Sequence, residues 1–234
     1  MHCSPVTRPL VGWFIVFAVA VSGVAQDAIP GPIAFKGKLL FSDDFERDDL
    51  GEWKEIIPGF RVADGVLVAT QDKADHGSVG RVYLPMNNVV MKFRFKLAGS
   101  PRFNLVFDDK NHKGSHAGHI CRVAYAQRQV RLGDDKEGIM RNDIFKMRRD
   151  PKQKAEGDKL VENRGSSVKV NLEQNRWYTT TIEIHDDQMR VSLDGNAIGY
   201  LKSSGIDHPT KQSAHFTVSG EATHFDDVQI WQAR

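Results

Sequence analysis

Cysteine is nearly missing: there are two in 234 residues. That excludes a disulfide-dense scaffold and the four-cysteine zinc sites. No sign of charge dominates either. Lys and Arg number 32 against 30 Asp and Glu, a net of +2, so there is no electrostatic footprint for general nucleic-acid binding. The sequence carries no internal repeat and no low-complexity stretch. Long apolar runs are also scarce. One spans residues 10–21, LVGWFIVFAVAV. Crossing roughly 30 Å of hydrocarbon takes about 20 residues, so this run is too short for a membrane span. With 40% hydrophobic and 26% charged residues, the composition is that of a globular chain rather than a disordered tail.

The apolar run follows Arg8 and leads into Ser22, Gly23, Val24 and Ala25. A basic start, an apolar middle and a small-residue exit predict a signal peptide over residues 1–25, cut after Ala25. The expected mature chain, residues 26–234, is secreted or periplasmic and has no membrane span. It loses Arg8 and Cys3 and keeps one cysteine, Cys121, without a partner. Residues 26–35 read as a linker and 36–234 as one domain, long enough to bury a core without a disulfide.

Period-two alternation dominates that domain. In residues 88–97, Val89, Met91, Phe93, Phe95 and Leu97 share one face, and Lys92, Arg94 and Lys96 take the other. A strand sends successive side chains to opposite faces, so this one buries one side and wets the other. Phe103, Leu105 and Phe107 repeat the pattern, with Asn104 turned away. Residues 177–185 repeat it again. Further strands are predicted at 38–41, 60–63, 66–70, 79–84, 119–125, 129–132, 189–193, 197–201, 216–218 and 228–231. Asp64-Gly65, Asp186-Asp187 and Asp194-Gly195 supply tight turns between them. So many short strands predict an all-β sandwich or barrel. One segment departs from the pattern. Asp150-Pro151-Lys152-Gln153 has a helix-capping residue and a proline at the first turn, and Gly165 stands where a C-terminal cap would. One short inserted helix is therefore predicted near 151–164, weakened by Gly157.

The segments LLFSDDFERDDLGEWKE, FRVADGVLVATQ and HFDDVQIW carry a resemblance. Together they resemble the concanavalin A-like (laminin G-like) sandwich domains of secreted bacterial carbohydrate proteins. Within that group the chain is similar to the 3-keto-disaccharide hydrolase, or 3-keto-glucoside lyase/hydratase, domains. The resemblance spans residues 36–231. It implies a concanavalin A-like jelly-roll β-sandwich of two antiparallel sheets, and a carbohydrate ligand or substrate. The family's Gly-Asn-Ser-Gly type segment is replaced here by FNLVFDDKNHKGSHAGHICR, so no catalytic residue is carried over. The Glu-x-Asp-x-x-Glu strand of related glucanases, whose carboxylates serve as nucleophile and acid, is missing too.

Read on their own, residues 108–119 are the densest polar cluster, with two carboxylates and three histidines. Histidine titrates near neutral pH and is the commonest metal ligand. Asp108, His116 and His119 are thus candidates for proton transfer, and a divalent metal, Ca²⁺ or a transition metal, is the candidate cofactor. The competing reading is a flexible polar loop. Strand parity sets Arg94, Asn104 and Asp108 on one side, with Arg122 beside them, suited to bonding sugar hydroxyls. The competing reading is a plain solvent-facing sheet. Lys136, Arg141 and Asp143 form a second polar run that could steady an enolate or bind an anionic sugar, or merely pair locally. Asp43-Asp44 and Asp226-Asp227 could hold a structural Ca²⁺ or simply solvate strand ends. Trp53, Trp177 and Trp231 are expected in the core, and Cys121 as a small buried hydrophobe. The overall charge balance suits a neutral sugar. The functional expectation is base-assisted elimination or hydration of 3-keto glycosides; the alternative is a non-catalytic glycan-binding module.

Overall fold

A computed structural model of the chain describes residue 1 and residues 29–234. The expected signal peptide lies outside the described residues. Among the described residues, no helix is long and apolar enough to cross a membrane.

The chain runs β1 (Lys36–Asp43), β2 (Lys54–Ile57), β3 (Phe60–Ala63), β4 (Val66–Ala69), β5 (Ser78–Met86), β6 (Val89–Leu97), β7 (Arg102–Asp108), β8 (His119–Ala126) and β9 (Gln129–Asp134). Two helices follow, α1 (Asn142–Arg149) and α2 (Lys154–Leu160). It then continues through β10 (Gly165–Lys169), β11 (Trp177–His185), β12 (Gln188–Leu193), β13 (Asn196–Lys202), β14 (Lys211–Ser219) and β15 (Thr223–Ala233). The strands form two antiparallel sheets. An eight-stranded one has the order β13-β12-β11-β6-β15-β4-β3, with β1 also on β15. A seven-stranded one has the order β10-β9-β8-β7-β14-β5-β2. The expected two-sheet jelly-roll sandwich is what the chain forms.

Alternation explains the core. Val89, Met91, Phe93, Phe95 and Leu97 of β6 are fully buried, and so are Phe103, Leu105 and Phe107 of β7. Each such side chain contributes about 1.5–3 kcal/mol by leaving water. The two sheets meet through aromatic rings. Phe216 on β14 stacks on Phe225 of β15 at 3.9 Å, and Phe95 of β6 meets Phe103 of β7 edge-on at 4.9 Å. Buried Tyr125 keeps its hydroxyl satisfied by Thr180 Oγ1 across the core, at 2.7 Å. The hairpin turns sit where the sequence put them. Asp64-Gly65 and Asp194-Gly195 have φ of 53°, 70°, 48° and 82°, the paired left-handed residues of a two-residue hairpin.

Five expectations change. The inserted helix is α2, shorter than 151–164. Asp150 accepts the Lys152 N–H at 2.9 Å and turns the chain through 151–153, so the helix starts at Lys154. Gly165 is not a helix cap; it opens β10 and pairs with Gly133. A second helix, α1, precedes α2, with Ile144 as its one buried residue. Residues 30–35 are no free linker. Arg190 donates to the Pro30 carbonyl at 3.0 Å, Glu183 accepts the Ile33 N–H at 2.7 Å, and Phe35 pairs with Arg234. Trp177 and Trp231 are not core. They lie half-buried on the outside of the eight-stranded sheet, under Arg94 and Lys36 respectively. Trp53 is core, stacked on Phe216.

Candidate functional site

Strand register builds the site on the outer face of the seven-stranded sheet. Ala214, Phe216, Leu105 and Phe107 point inward, so their neighbours point out. One outward row runs Arg81, His215, Val106, Arg122, Gly133 across β5, β14, β7, β8 and β9. The row beside it runs Tyr83, Ser213, Asp108, His119. That second row depends on an irregularity. Phe107 pairs with Cys121, but the register then slips, and Asp108 faces His119 instead of Ile120. A bulge re-aims a side chain in this way. Ile120 goes into the core and His119 joins Asp108 outside. A glycine fixes the loop between these strands. Gly118 has φ 74°, and a Cβ there would lie 2.2 Å from the Asp109 carbonyl oxygen.

Asp108 is the centre. His119 Nδ1 lies 2.5 Å from its Oδ1, and His215 Nδ1 lies 2.7 Å from its Oδ2. Arg81 Nη2 donates to Oδ2 at 2.9 Å. Burial works against ionising this carboxyl. The hydrogen bonds from the two imidazoles outweigh burial and hold the group well below the usual carboxylate range. With both oxygens engaged, Asp108 orients the rings and is a poor proton acceptor. Burial lowers the His215 pKa despite Asp108. His116 is exposed and stacks on Phe145 at 4.1 Å, with its ring 6.1 Å from that of His119. Its pKa is lowered by partial burial and by nearby His119 and Arg149. Below the histidines, Arg122 Nε donates to fully buried Asp135 at 2.6 Å. Burial pushes the Asp135 carboxyl up. Asp135 Oδ1, Arg122 Nη2 and Arg81 Nε are buried without hydrogen-bond partners. Such orphaned groups are rare in folded proteins and mark places where water, an ion or a ligand belongs.

Asp108, His119 and His215 each offer one ligand atom, all within 4.8 Å of one another. They can hold a divalent metal. Two imidazoles and one carboxylate suit a transition metal, whereas Ca²⁺ takes six to eight oxygens. The other Ca²⁺ candidate is otherwise engaged, because Asp43 gives both oxygens to Arg47 and also accepts from Trp53 Nε1.

Beside this cluster lies a cleft of about 860 Å³. Asn104, Arg122, Ala124, Arg131 and Gly133 form its floor, and α1 and α2 contribute Arg148, Lys154 and Asp158 to its wall. Small residues at 124 and 133 leave it open. The second polar run does fold against the histidine loop, since Ser115 bridges Arg141 and His116 N–H bonds Met140. But Arg141 is spent on Asp143 at 2.7 Å, and Lys136 donates to the Asp207 carbonyl.

Arg94 is the one candidate placed elsewhere. It projects from the eight-stranded sheet, on the opposite outside of the sandwich, and pairs with Asp226 at 3.0 Å. Parity tells inside from outside; it does not tell which sheet a strand joins, and the chain changes sheets between β6 and β7. His215, Arg81 and Asp135 escaped the sequence reading. The signal for His215 was available, since inward Ala214, Phe216 and Val218 leave it facing out. Nothing local tied it to Asp108, 107 positions away.

The chain has the fold of carbohydrate-binding and carbohydrate-cleaving β-sandwiches. It is similar to the carbohydrate-binding module CBM66 of Bacillus subtilis, with TM-score 0.53 and 11% identity over 77% of this chain and 96% of that one. It is similar to the laminarinase of Rhodothermus marinus, with TM-score 0.58 and 12% identity over 86% and 99%. It is also similar to part of a sialidase, with TM-score 0.59 and 13% identity over 87% of this chain but 19% of that one. No family model matches the sequence, and no curated protein matches it.

Proposed function

We propose that the protein is an exported carbohydrate-active enzyme that cleaves oxidised (3-keto) glycosides by base-assisted elimination or hydration. The observation that carries this reading is Asp108, held between two imidazoles and a guanidinium on the same sheet face as a polar cleft floored by Arg122. In this reading the sugar lies in the cleft with its reacting end toward the histidines. A 3-keto group acidifies the C–H at C2. A neutral imidazole, His116 or His119, takes that proton, and Arg122 at the cleft floor stabilises the negative charge developing on the keto oxygen. The electron pair forms the C1–C2 double bond as the C1–O bond breaks. The glycosidic oxygen leaves with a proton returned from the imidazole or from water. Asp108 fixes the ring orientation of His119 and His215 throughout. A divalent metal, if held by Asp108, His119 and His215, would supply Lewis-acid polarisation of a substrate oxygen and would leave His116 as the base.

The test is to incubate the chain lacking residues 1–25 with 3-keto-glucosides, with and without a chelator, and to follow aglycone release by NMR. Turnover that falls at least 100-fold in both His116→Ala and His119→Ala supports the enzyme. No turnover, with glycan binding retained in both variants, gives the place to a non-catalytic glycan-binding module. The likeness to CBM66 over nearly all of that module favours this second reading. Export is tested by sequencing the N-terminus of the protein recovered outside the cytoplasm; a first residue of Gln26 is expected.

A further inference from the structure

The net charge of +2 for the whole chain hides a local surplus. Six cationic side chains line the cleft, against three acidic ones, Asp134, Asp158 and Glu162. Two of the acids are already engaged. Asp158 is held by Arg148 at 2.6 Å and by Lys154. Buried Asp134 accepts from Ser203, Gly205 and Glu137 and lies 3.7 Å from Arg164. The floor is different. Arg102 and Arg131 make no side-chain hydrogen bond or ion pair among the described residues, and both are exposed. Arg122 is tied through Nε to buried Asp135 and keeps Nη2 unpartnered. Register aligns these three on neighbouring strands. Arg122 pairs with Gly133, Arg131 with Ala124, and Arg102 with Ala126. Alanine and glycine between the guanidinium groups leave room for a flat ring above them.

A guanidinium pinned by a buried carboxylate is preorganised, and its free N–H groups match a planar or tetrahedral oxyanion. Neutral sugar hydroxyls do not require a line of unpaired cations. We infer that the cleft selects an anionic sugar, one carrying a carboxylate or a sulfate ester, and that Arg122, Arg131 and Arg102 receive its charge. This inference rests on the carbohydrate reading above and narrows its substrate class.

The test is calorimetric titration of the protein with three oligosaccharides of equal length: a uronate-containing one, its carboxyl-reduced neutral counterpart, and a sulfated one with a neutral backbone. The uronate or the sulfated sugar should bind at least 10-fold tighter than the neutral one, and whichever binds tighter identifies the anion. That affinity should fall at least 10-fold between 50 and 500 mM salt. Arg131→Glu, an exposed change that leaves the core untouched, should remove the preference for the anionic sugar over the neutral one. Arg122→Lys should weaken it with the Asp135 pair kept. Equal binding of all three sugars, unchanged by Arg131→Glu, overturns the anionic assignment and leaves the carbohydrate reading standing. Binding of none of them at millimolar concentration overturns both.

Discussion

The two outer faces of the sandwich carry similar residue types and treat them in opposite ways. On the eight-stranded sheet several charges are closed against a partner or a ring. Arg94 pairs with Asp226 and lies over Trp177, Lys36 lies over Trp231, and Arg190 holds Glu183 at 2.6 Å beneath the strap of residues 30–33. On the seven-stranded sheet they are left unfinished. Asp108 gathers three cationic or potentially cationic partners, and buried atoms of Arg81, Arg122 and Asp135 find none. A folded chain gains nothing in stability from orphaned buried polar atoms. Three of them, on Arg81, Arg122 and Asp135, gather around the proposed site.

The contrast can be broken from either side. Asp108→Asn should have the largest effect. It removes the charge that three neighbours share, so turnover should be lost, and stability in urea should drop by about 3 kcal/mol as half-buried Arg81 loses its charged partner. Retained turnover would make Asp108 a supporting residue. Glu183→Ala, on the opposite face, should also cost about 3 kcal/mol, because Arg190 loses its buried partner. It should leave glycan turnover and affinity unchanged. A loss of activity without a loss of stability would place function on that face. The smallest effect concerns pH. His224, on the outside of the eight-stranded sheet, has its pKa lowered by burial and then by Lys96 and Arg61. The unfolded chain therefore binds a proton more readily at this position. The stability His224 contributes is present above its unfolded value of 6.5 and is lost as pH falls through that region. Thermal melts of His224→Gln should show a shallower decline from pH 7 to pH 5 than those of the parent. An equal or steeper decline would contradict the sign.

Much of this was legible in the sequence because its signals are local. The alternation in β6 and β11 follows from period two, and the Asp-Gly hairpins follow from their need for left-handed backbone. Strands β2 and β10, KEII and GSSVK, are short sheet edges with no such alternation to read. Helix α1 is eight residues long and buries only Ile144 completely, too short a span from which to read a helical period. In the site, Asp108, His119 and Arg122 could be proposed because they cluster within fifteen positions. His215 and Arg81 reach Asp108 only through the pairing of β14 with β5 and β7. The slip that turns His119 outward depends on which residue of β8 enters the core, and composition does not encode it. Arg94 shows the complementary limit: its outward parity was read correctly, but the sheet to which it belongs was not readable.

The most direct test of the division between faces is to map the bound sugar. Backbone amide shifts of the labelled protein should be followed by NMR while a 3-keto-glucoside and its parent glucoside are titrated in. The account predicts that the perturbed amides centre on Asn104, Asp108, His119, Arg122 and Gly133, with Arg94 and Trp177 silent. Perturbations centred on Arg94, Trp177 and Trp231, with the histidine cluster silent, would contradict it.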